Sequence, residues 1–173
     1  MSPGARIEIR AAQASEADAL SELALEAKAQ WGYSRVILES WRESLRISPA
    51  EVVSKPVFVG TIQGRIVGFC SVVASEGAWE LDNLWVVDGC ARRGVGRSLL
   101  ARALEAAFRE GASMVTVDAD PNAEAFYLSC GGVRCGEVCA PIPGEPDRVR
   151  PQVVFSRQSL AAIQAIAIRS PHT

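Results

Sequence analysis

Residues 84–107, LWVVDGCARRGVGRSLLARALEAA, change character in their middle. An apolar run of strand type stops at Asp88. Arg92, Arg93, Gly94, Val95, Gly96 and Arg97 follow, and then leucine and alanine recur at helical spacing. Apolar residues at 95, 99, 100, 103, 104 and 107 share one face of a 3.6-residue repeat that closes at Gly111. A strand, a glycine turn and an amphipathic helix in succession direct the chain towards an α/β arrangement. Such a helix start leaves about four backbone N–H groups without partners and carries roughly half a positive charge. Glycines let a ligand come close to that backbone, and arginines add permanent charge. The combination suits a phosphate, and the same glycines would also serve a plain strand-to-helix turn.

Three phosphate-binding designs can be compared with the residues. A P-loop needs G-x-x-x-x-G-K-[ST], and no such string occurs. A dinucleotide fold needs G-x-G-x-x-G directly after a strand. Here Leu99 stands at the third glycine, and six residues separate Val87 from Gly94. Asp118, at the end of the next predicted strand, lies where a ribose-reading carboxylate would be. The third design takes in more of the chain and depends on the remaining elements.

RIEIR at 6–10 alternates as a short strand, and Ser15 with Asp18 reads as a cap before the helical run 16–30. A second helical pattern starts at Ser34, after the break WGY, and Pro49 and Pro56 bracket a stretch of undecided type. VFVGTIQ and RIVGFCSVVA flank Gly64 as an antiparallel hairpin. AWELDNLWVV at 78–87 and SMVTVDA at 113–119 read as strands, and NAEAFYLSC as a short helix stopped by Gly131 and Gly132. VRCGEVCA and PQVVFS read as two further strands, while LAAIQAIAI near the end suits either a helix or a frayed tail. The order is βαα βββ α β α ββ. A chain of 173 residues with no internal repeat or linker is expected to form one domain over 1–173, with a core of about 5–157 and a tail of 158–173.

The run ELDNLWVVDGCARRGVGRSLL resembles the acetyl-coenzyme A binding core of the GNAT superfamily of N-acetyltransferases, in which Arg/Gln-x-x-Gly-x-Gly/Ala opens a long helix. Gly94 and Gly96 fall on the two small-residue positions, and Ala91 replaces the first Arg or Gln. DADPNAEAFYLSCGGVRCGE, residues 118–137, resembles the family's second segment, with Asn122, Ala123, Phe126, Tyr127 and Gly131 in the matching places. Gly132 replaces the usual following aromatic. KAQWGYS is similar to a K-A-x-W-G-Y stretch in a group of bacterial GNAT proteins with mostly unassigned acceptors. The resemblance covers about residues 5–157. It implies a mixed, mostly antiparallel sheet of about six to seven strands flanked by about four helices.

The resemblance also implies acetyl transfer from acetyl-CoA to a primary amine of a small molecule or protein. Backbone groups of Arg92, Arg93, Gly94, Val95, Gly96 and Arg97 would then hold the pyrophosphate. The strand edge at Leu84 and Val86 would bond the pantetheine arm as an added strand does, and Asn122 would reach that arm. An amine with a pKa near 10.4 must lose a proton before it attacks. Glu80 and Asp82 share one side of a strand, and Glu80 matches the family's general-base position, with Asp82 or water as alternatives. Tyr127 matches the family's acid position and stays protonated at neutral pH. Trp31 and Tyr33 are candidates to wall an acceptor pocket, or else pack two helices together. Two other functions stay open: a non-catalytic acyl-CoA sensor or partner module, and a dinucleotide-binding oxidoreductase.

Composition narrows the partners. A net charge of −2 and a pI near 5.5 leave no basic field for nucleic acid. No apolar run approaches the roughly 20 residues that span a bilayer, and MSPGARIEIR has no signal-peptide core, so a cytoplasmic protein is expected. Cys70, Cys90, Cys130, Cys135 and Cys139 lack metal-ligand spacing, and the single histidine is His172. No metal is expected, and the thiols read as buried or half-buried packing groups. Arg148 and Arg150 could attract a carboxylate on an acceptor or solubilise the loop, and the second reading is the one expected. The apolar segment 160–168 could serve a homodimer.

Overall fold

The computed structural model describes residues 6–169, with side chains to Ile166. Seven strands form one mixed sheet in the order β1-β2-β3-β4-β5-β7-β6. They are β1 (Ile7–Ala11), β2 (Val57–Ile62), β3 (Arg65–Ser75), β4 (Ala78–Val86), β5 (Val115–Asp118), β6 (Val133–Cys139) and β7 (Val149–Phe155). The helices are α1 (Ala17–Ala29), α2 (Arg35–Trp41), α3 (Pro49–Ser54), α4 (Val95–Arg109), α5 (Glu124–Ser129) and α6 (Arg157–Arg169). The chain separates into two compact units, residues 1–72 with 83–103 and residues 73–82 with 104–173.

In the first unit β1 pairs antiparallel with β2, and β2 with β3, as the pattern around Gly64 predicts. Gly64 itself has φ +76°, the left-handed conformation a two-residue turn requires. Ala17, Leu20, Leu23 and Ala24 of α1 pack with Ile47, Val52, Val57, Val59 and Phe69 into one buried cluster. The helix entry differs from the predicted Ser15–Asp18 cap. A single tight turn at Ala14–Glu16 precedes α1, and Gln13 and Glu16 form its capping box. Arg10 fixes Glu16 at 2.6 Å, and that hydrogen bond holds the Glu16 carboxyl below the usual range.

Between Pro49 and Pro56, a stretch of undecided type in the sequence, lies α3. The Ser48 hydroxyl accepts from Glu51 N–H at 3.2 Å, the Glu51 carboxylate accepts from Ser48 N–H at 2.8 Å, and Pro49 occupies the first helical position.

In the second unit β5 pairs with β7 and β7 with β6, all antiparallel. β4 and β5 are parallel, and the chain between them contains α4, as parallel neighbours require. Val115, Val153 and Phe155 are fully buried, as are Leu104 and Ala107 of α4. The segment read as helix or tail is α6. Ser156 and Ser159 bond each other's backbone N–H at its start, Ser159 Oγ donates to Gly131 O at 2.8 Å, and Ile163 is buried. With α3 this makes six helices among the described residues, against the four expected. The part of the dimer segment beyond Ile166, and His172, lie outside the described side chains. Among the described residues no helix is long and apolar enough to cross a membrane.

At Gly68 β3 lies close against β4. A Cβ there would stand 2.6 Å from the backbone oxygen of Trp85 and 3.1 Å from the Leu99 side chain. The backbone oxygen cannot swing away, so Gly68→Ala is expected to cost about 1–3 kcal/mol. Thermal unfolding of the variant should show a midpoint several degrees lower.

Candidate active site

In the first unit, β4 and the start of α4 place their backbone for a ligand. The parallel ladder of β4 with β5 includes Trp79↔Val115 and Glu80↔Thr116, and β4 continues to Val86. At the far end Val87 N–H donates to Val67 O of β3 at 2.9 Å. The two groups of one peptide point opposite ways, so the Val86 carbonyl points away from β3. Leu84, two residues earlier, turns its N–H and C=O the same way. The Val86 carbonyl accepts from Gln30 Nε2 at 3.2 Å.

Beyond β4 the chain makes a tight turn at Asp88–Cys90 and reaches α4 through Arg92 at φ +63° and Gly94 at φ +85°. Alternation into the left-handed region folds successive N–H groups towards one concavity, an anion-binding shape. Such a conformation is costly for arginine, and strain of this kind concentrates at ligand sites. The first α-helical bond of α4 runs from Ser98 N–H to Gly94 O at 2.9 Å, so the N–H groups of Val95, Gly96 and Arg97 precede it. Val95 is buried, which anchors the turn, while Arg92 is exposed and Arg93 and Arg97 are partly so. These residues fit a pyrophosphate.

Trp31 and Tyr33 flank Gly32, at φ +80°, and both are half-buried. Trp31 lies 5.8 Å from Trp85 of β4, and Tyr33 packs edge-on against Trp41 of α2 at 4.9 Å. Lys28 of α1 is buried among these four rings. Neither Lys28 nor Gln30 carries a sequence signal for these contacts, because the partners are up to 57 positions away.

In the second unit, Glu80 and Asp82 stand on the exposed part of β4. Partial burial raises the Glu80 carboxyl above the usual carboxylate range, the negative charges of Asp118 and Asp82 push it further, and Arg150 opposes them. Asp118 ends β5, where its Oδ1 accepts from Gln152 Nε2 at 2.9 Å and its carbonyl accepts from the Arg150 guanidinium. Tyr127 is buried on α5, with its ring 5.2 Å from Phe126 and 6.1 Å from Phe155. Asn122 is exposed in the turn before α5. Asp120 Oδ1 accepts from its backbone N–H at 3.0 Å and from its side-chain amide at 2.9 Å.

The reading of Arg148 as a solubilising residue is wrong. Its guanidinium bonds Asp120 Oδ2 at 3.0 Å and Ala140 O at 3.0 Å, and the paired side chains are only 6% and 5% exposed. Arg150 is likewise committed to the end of β5. Both arginines lie on the return strand β7 or its lead-in, and only the pairing of β7 with β5 reveals what they meet. The cysteines also divide differently from expectation: Cys70, Cys90 and Cys130 are buried, but Cys135 and Cys139 are exposed on β6. Cys70 donates to Leu99 O at 3.3 Å, and burial drives its thiol far above the usual value.

The family model described as the Acetyltransferase (GNAT) family matches residues 17–131, two-thirds of the chain. The chain belongs to the GNAT acetyltransferase family. No curated protein matches it in sequence. Its fold is similar to that of a GCN5-related N-acetyltransferase structure, named as a class-II aminotransferase, from Rhodopseudomonas palustris. The TM-score is 0.72 and the identity 24%, with 90% of this chain and 98% of that one covered. It is also similar to the PaiA N-acetyltransferase of Thermoplasma acidophilum in complex with coenzyme A (TM-score 0.67, identity 18%, coverage 87% and 99%). A third is the ribosomal-protein-alanine N-acetyltransferase of Brucella melitensis (TM-score 0.64, identity 23%, coverage 86% and 99%). This GNAT chain is an acyltransferase.

Removal of one partner from a buried ion pair leaves the other charge uncompensated. Arg148→Met should therefore cost about 3–5 kcal/mol, far more than loss of an exposed pair such as Arg46–Glu43. Denaturant unfolding of Arg148→Met beside Arg46→Met distinguishes the two.

Proposed function

We propose that the chain transfers an acetyl group from acetyl-CoA to a primary amine of a small molecule or protein by direct attack, in the cytoplasm. The observation that carries this reading is the turn into α4. There Arg92 and Gly94 are left-handed, and the N–H groups of Val95, Gly96 and Arg97 precede the first α-helical bond. The backbone of residues 92–97 binds the pyrophosphate, with Arg92, Arg93 and Arg97 supplying charge. Leu84 and Val86 offer N–H and C=O groups to the pantetheine amides, and Gln30 yields the Val86 carbonyl when they arrive. Asn122, in the turn before α5, is a further cofactor-binding residue in this reading. Trp31 and Tyr33 wall the acceptor.

Glu80 accepts the proton that the amine must lose. Its elevated carboxyl suits this role, because a base whose pKa lies nearer the working pH takes up a proton more readily. Asp82 and Asp118 keep the surroundings negative, which favours a protonated amine's approach and the proton's acceptance. Tyr127, shielded among Phe126 and Phe155, donates a proton to the departing thiolate. The two carboxylates and the tyrosine handle protons only, so no covalent enzyme intermediate is required. An apolar face at the chain's end, with Ile166 39% exposed, supports a homodimer through α6.

Tyr127→Phe should lower kcat by about 10²–10⁴-fold with little change in acetyl-CoA affinity. Steady-state kinetics beside calorimetry separates the two quantities. Because Glu80 acts ionised and its carboxyl is raised, activity should climb with pH through a limb above the ordinary carboxylate range. Glu80→Gln should remove that limb, and a pH profile unchanged in the variant would move the base to Asp82 or water.

A further inference from the structure

Trp85 carries an indole N–H, a group that only donates, and in a half-buried ring that donor needs a partner. Asn83, two residues earlier on the same face of β4, supplies one. Trp85 Nε1 donates to Asn83 Oδ1 at 3.0 Å. With the amide oxygen on the indole, the amide nitrogen turns the other way and donates to Ser71 Oγ of β3 at 2.9 Å. Ser71 is fully buried, and β3 and β4 are neighbours in the sheet. The surroundings are apolar. Phe69, two residues before Ser71, is fully buried, and Trp85 packs against the cluster that contains it.

Polar groups in an apolar face are costly to bury, and apolar residues of the same shape would fill the space with little loss. What this chain of hydrogen bonds adds is fixed geometry. The Trp85 backbone oxygen lies against Gly68 of β3, and Val87 N–H donates to Val67 O. Residues 83, 85 and 87 therefore turn their backbone towards β3, and Leu84 and Val86 turn theirs to the other edge. The bond from Trp85 to Asn83 spans Leu84, and the bond from Asn83 to Ser71 ties that span to β3. The outward N–H and C=O groups of Leu84 are thus held in strand geometry before a ligand's amides arrive. Such preorganisation lowers the cost of binding.

On these grounds we infer that Asn83 is a positioning residue for the cofactor arm, acting through Trp85 to hold the Leu84 and Val86 edge for the pantetheine amides. The inference rests on the acetyl-CoA reading of that edge. The test is calorimetric titration with two ligands. One is acetyl-CoA. The other is adenosine 3′-phosphate 5′-diphosphate, the portion of coenzyme A that has the pyrophosphate and lacks pantetheine. Asn83→Leu keeps the size of the side chain and removes both hydrogen bonds. It should lose about tenfold in acetyl-CoA affinity and keep its nucleotide affinity within about twofold. Trp85→Phe keeps a ring and removes the indole N–H, and it should show the same selective loss. The double variant should bind acetyl-CoA about as well as Asn83→Leu alone, because the two residues act in one chain.

Acetyl-CoA affinity unchanged in Asn83→Leu overturns the inference and leaves the acetyl-CoA reading standing. An equal loss for both ligands makes Asn83 a general support of the fold and overturns it too. Losses that add in the double variant also overturn it, since Asn83 then acts independently of Trp85. Should Asn83→Leu fail to fold, Trp85→Phe decides by the same comparison of ligands. Failure of the wild-type protein to bind acetyl-CoA removes the acetyl-CoA reading, and this inference with it.

Discussion

A β-strand inside a sheet has two edges of backbone N–H and C=O groups, and each group needs a partner or water. At its start β4 meets that condition with β5 through Trp79↔Val115 and Glu80↔Thr116. At its end the Val86 carbonyl is turned away from β3. Much of the first unit's local structure answers this constraint. Gln30 reaches the Val86 carbonyl from the end of α1, and Gly68 lets β3 press against the Trp85 carbonyl on the other edge. The same edge, at Leu84 and Val86, is the one proposed above to take the pantetheine amides.

The turn into α4 follows from the same strand. Val95, Leu99 and Leu100 are buried and fix where the helix must lie. The intervening residues then have to turn sharply, and two left-handed residues accomplish it. The left-handed Arg92 stands just before a helix start, whose N–H groups favour an anion. In the second unit the notable groups are charged side chains rather than backbone. Glu80, Asp82 and Asp118 are held near one another while Arg150 and Gln152 tie down the end of β5. The buried Arg148–Asp120 pair secures the turn that carries Asn122.

Much of this was legible in the sequence because it is local. The 3.6-residue repeat after Gly94, the alternation on both sides of Gly64 and the helix stop at Gly131 each appear in the structure within about two residues of their predicted places. What stayed hidden depends on residues far apart in the chain. Arg148 looked like a loop residue because Asp120, its partner, lies 28 positions earlier. Lys28 gave no sign of its setting because two of its rings, Trp41 and Trp85, come from other elements, α2 and β4. α3 was undecided because six residues are too few for a period to declare itself. Its capping box, Ser48 with Glu51, was the available signal.

The central claim is that residues 92–97 grip the pyrophosphate of coenzyme A. Calorimetric titration of the purified protein with acetyl-CoA, with NAD as control and Gly96→Glu as the paired variant, tests it most directly. The account predicts saturable binding of acetyl-CoA, no binding of NAD, and at least a tenfold loss of acetyl-CoA affinity in the variant, where a carboxylate would meet the phosphates. Binding of NAD in place of acetyl-CoA, or acetyl-CoA binding unaffected by Gly96→Glu, would contradict it.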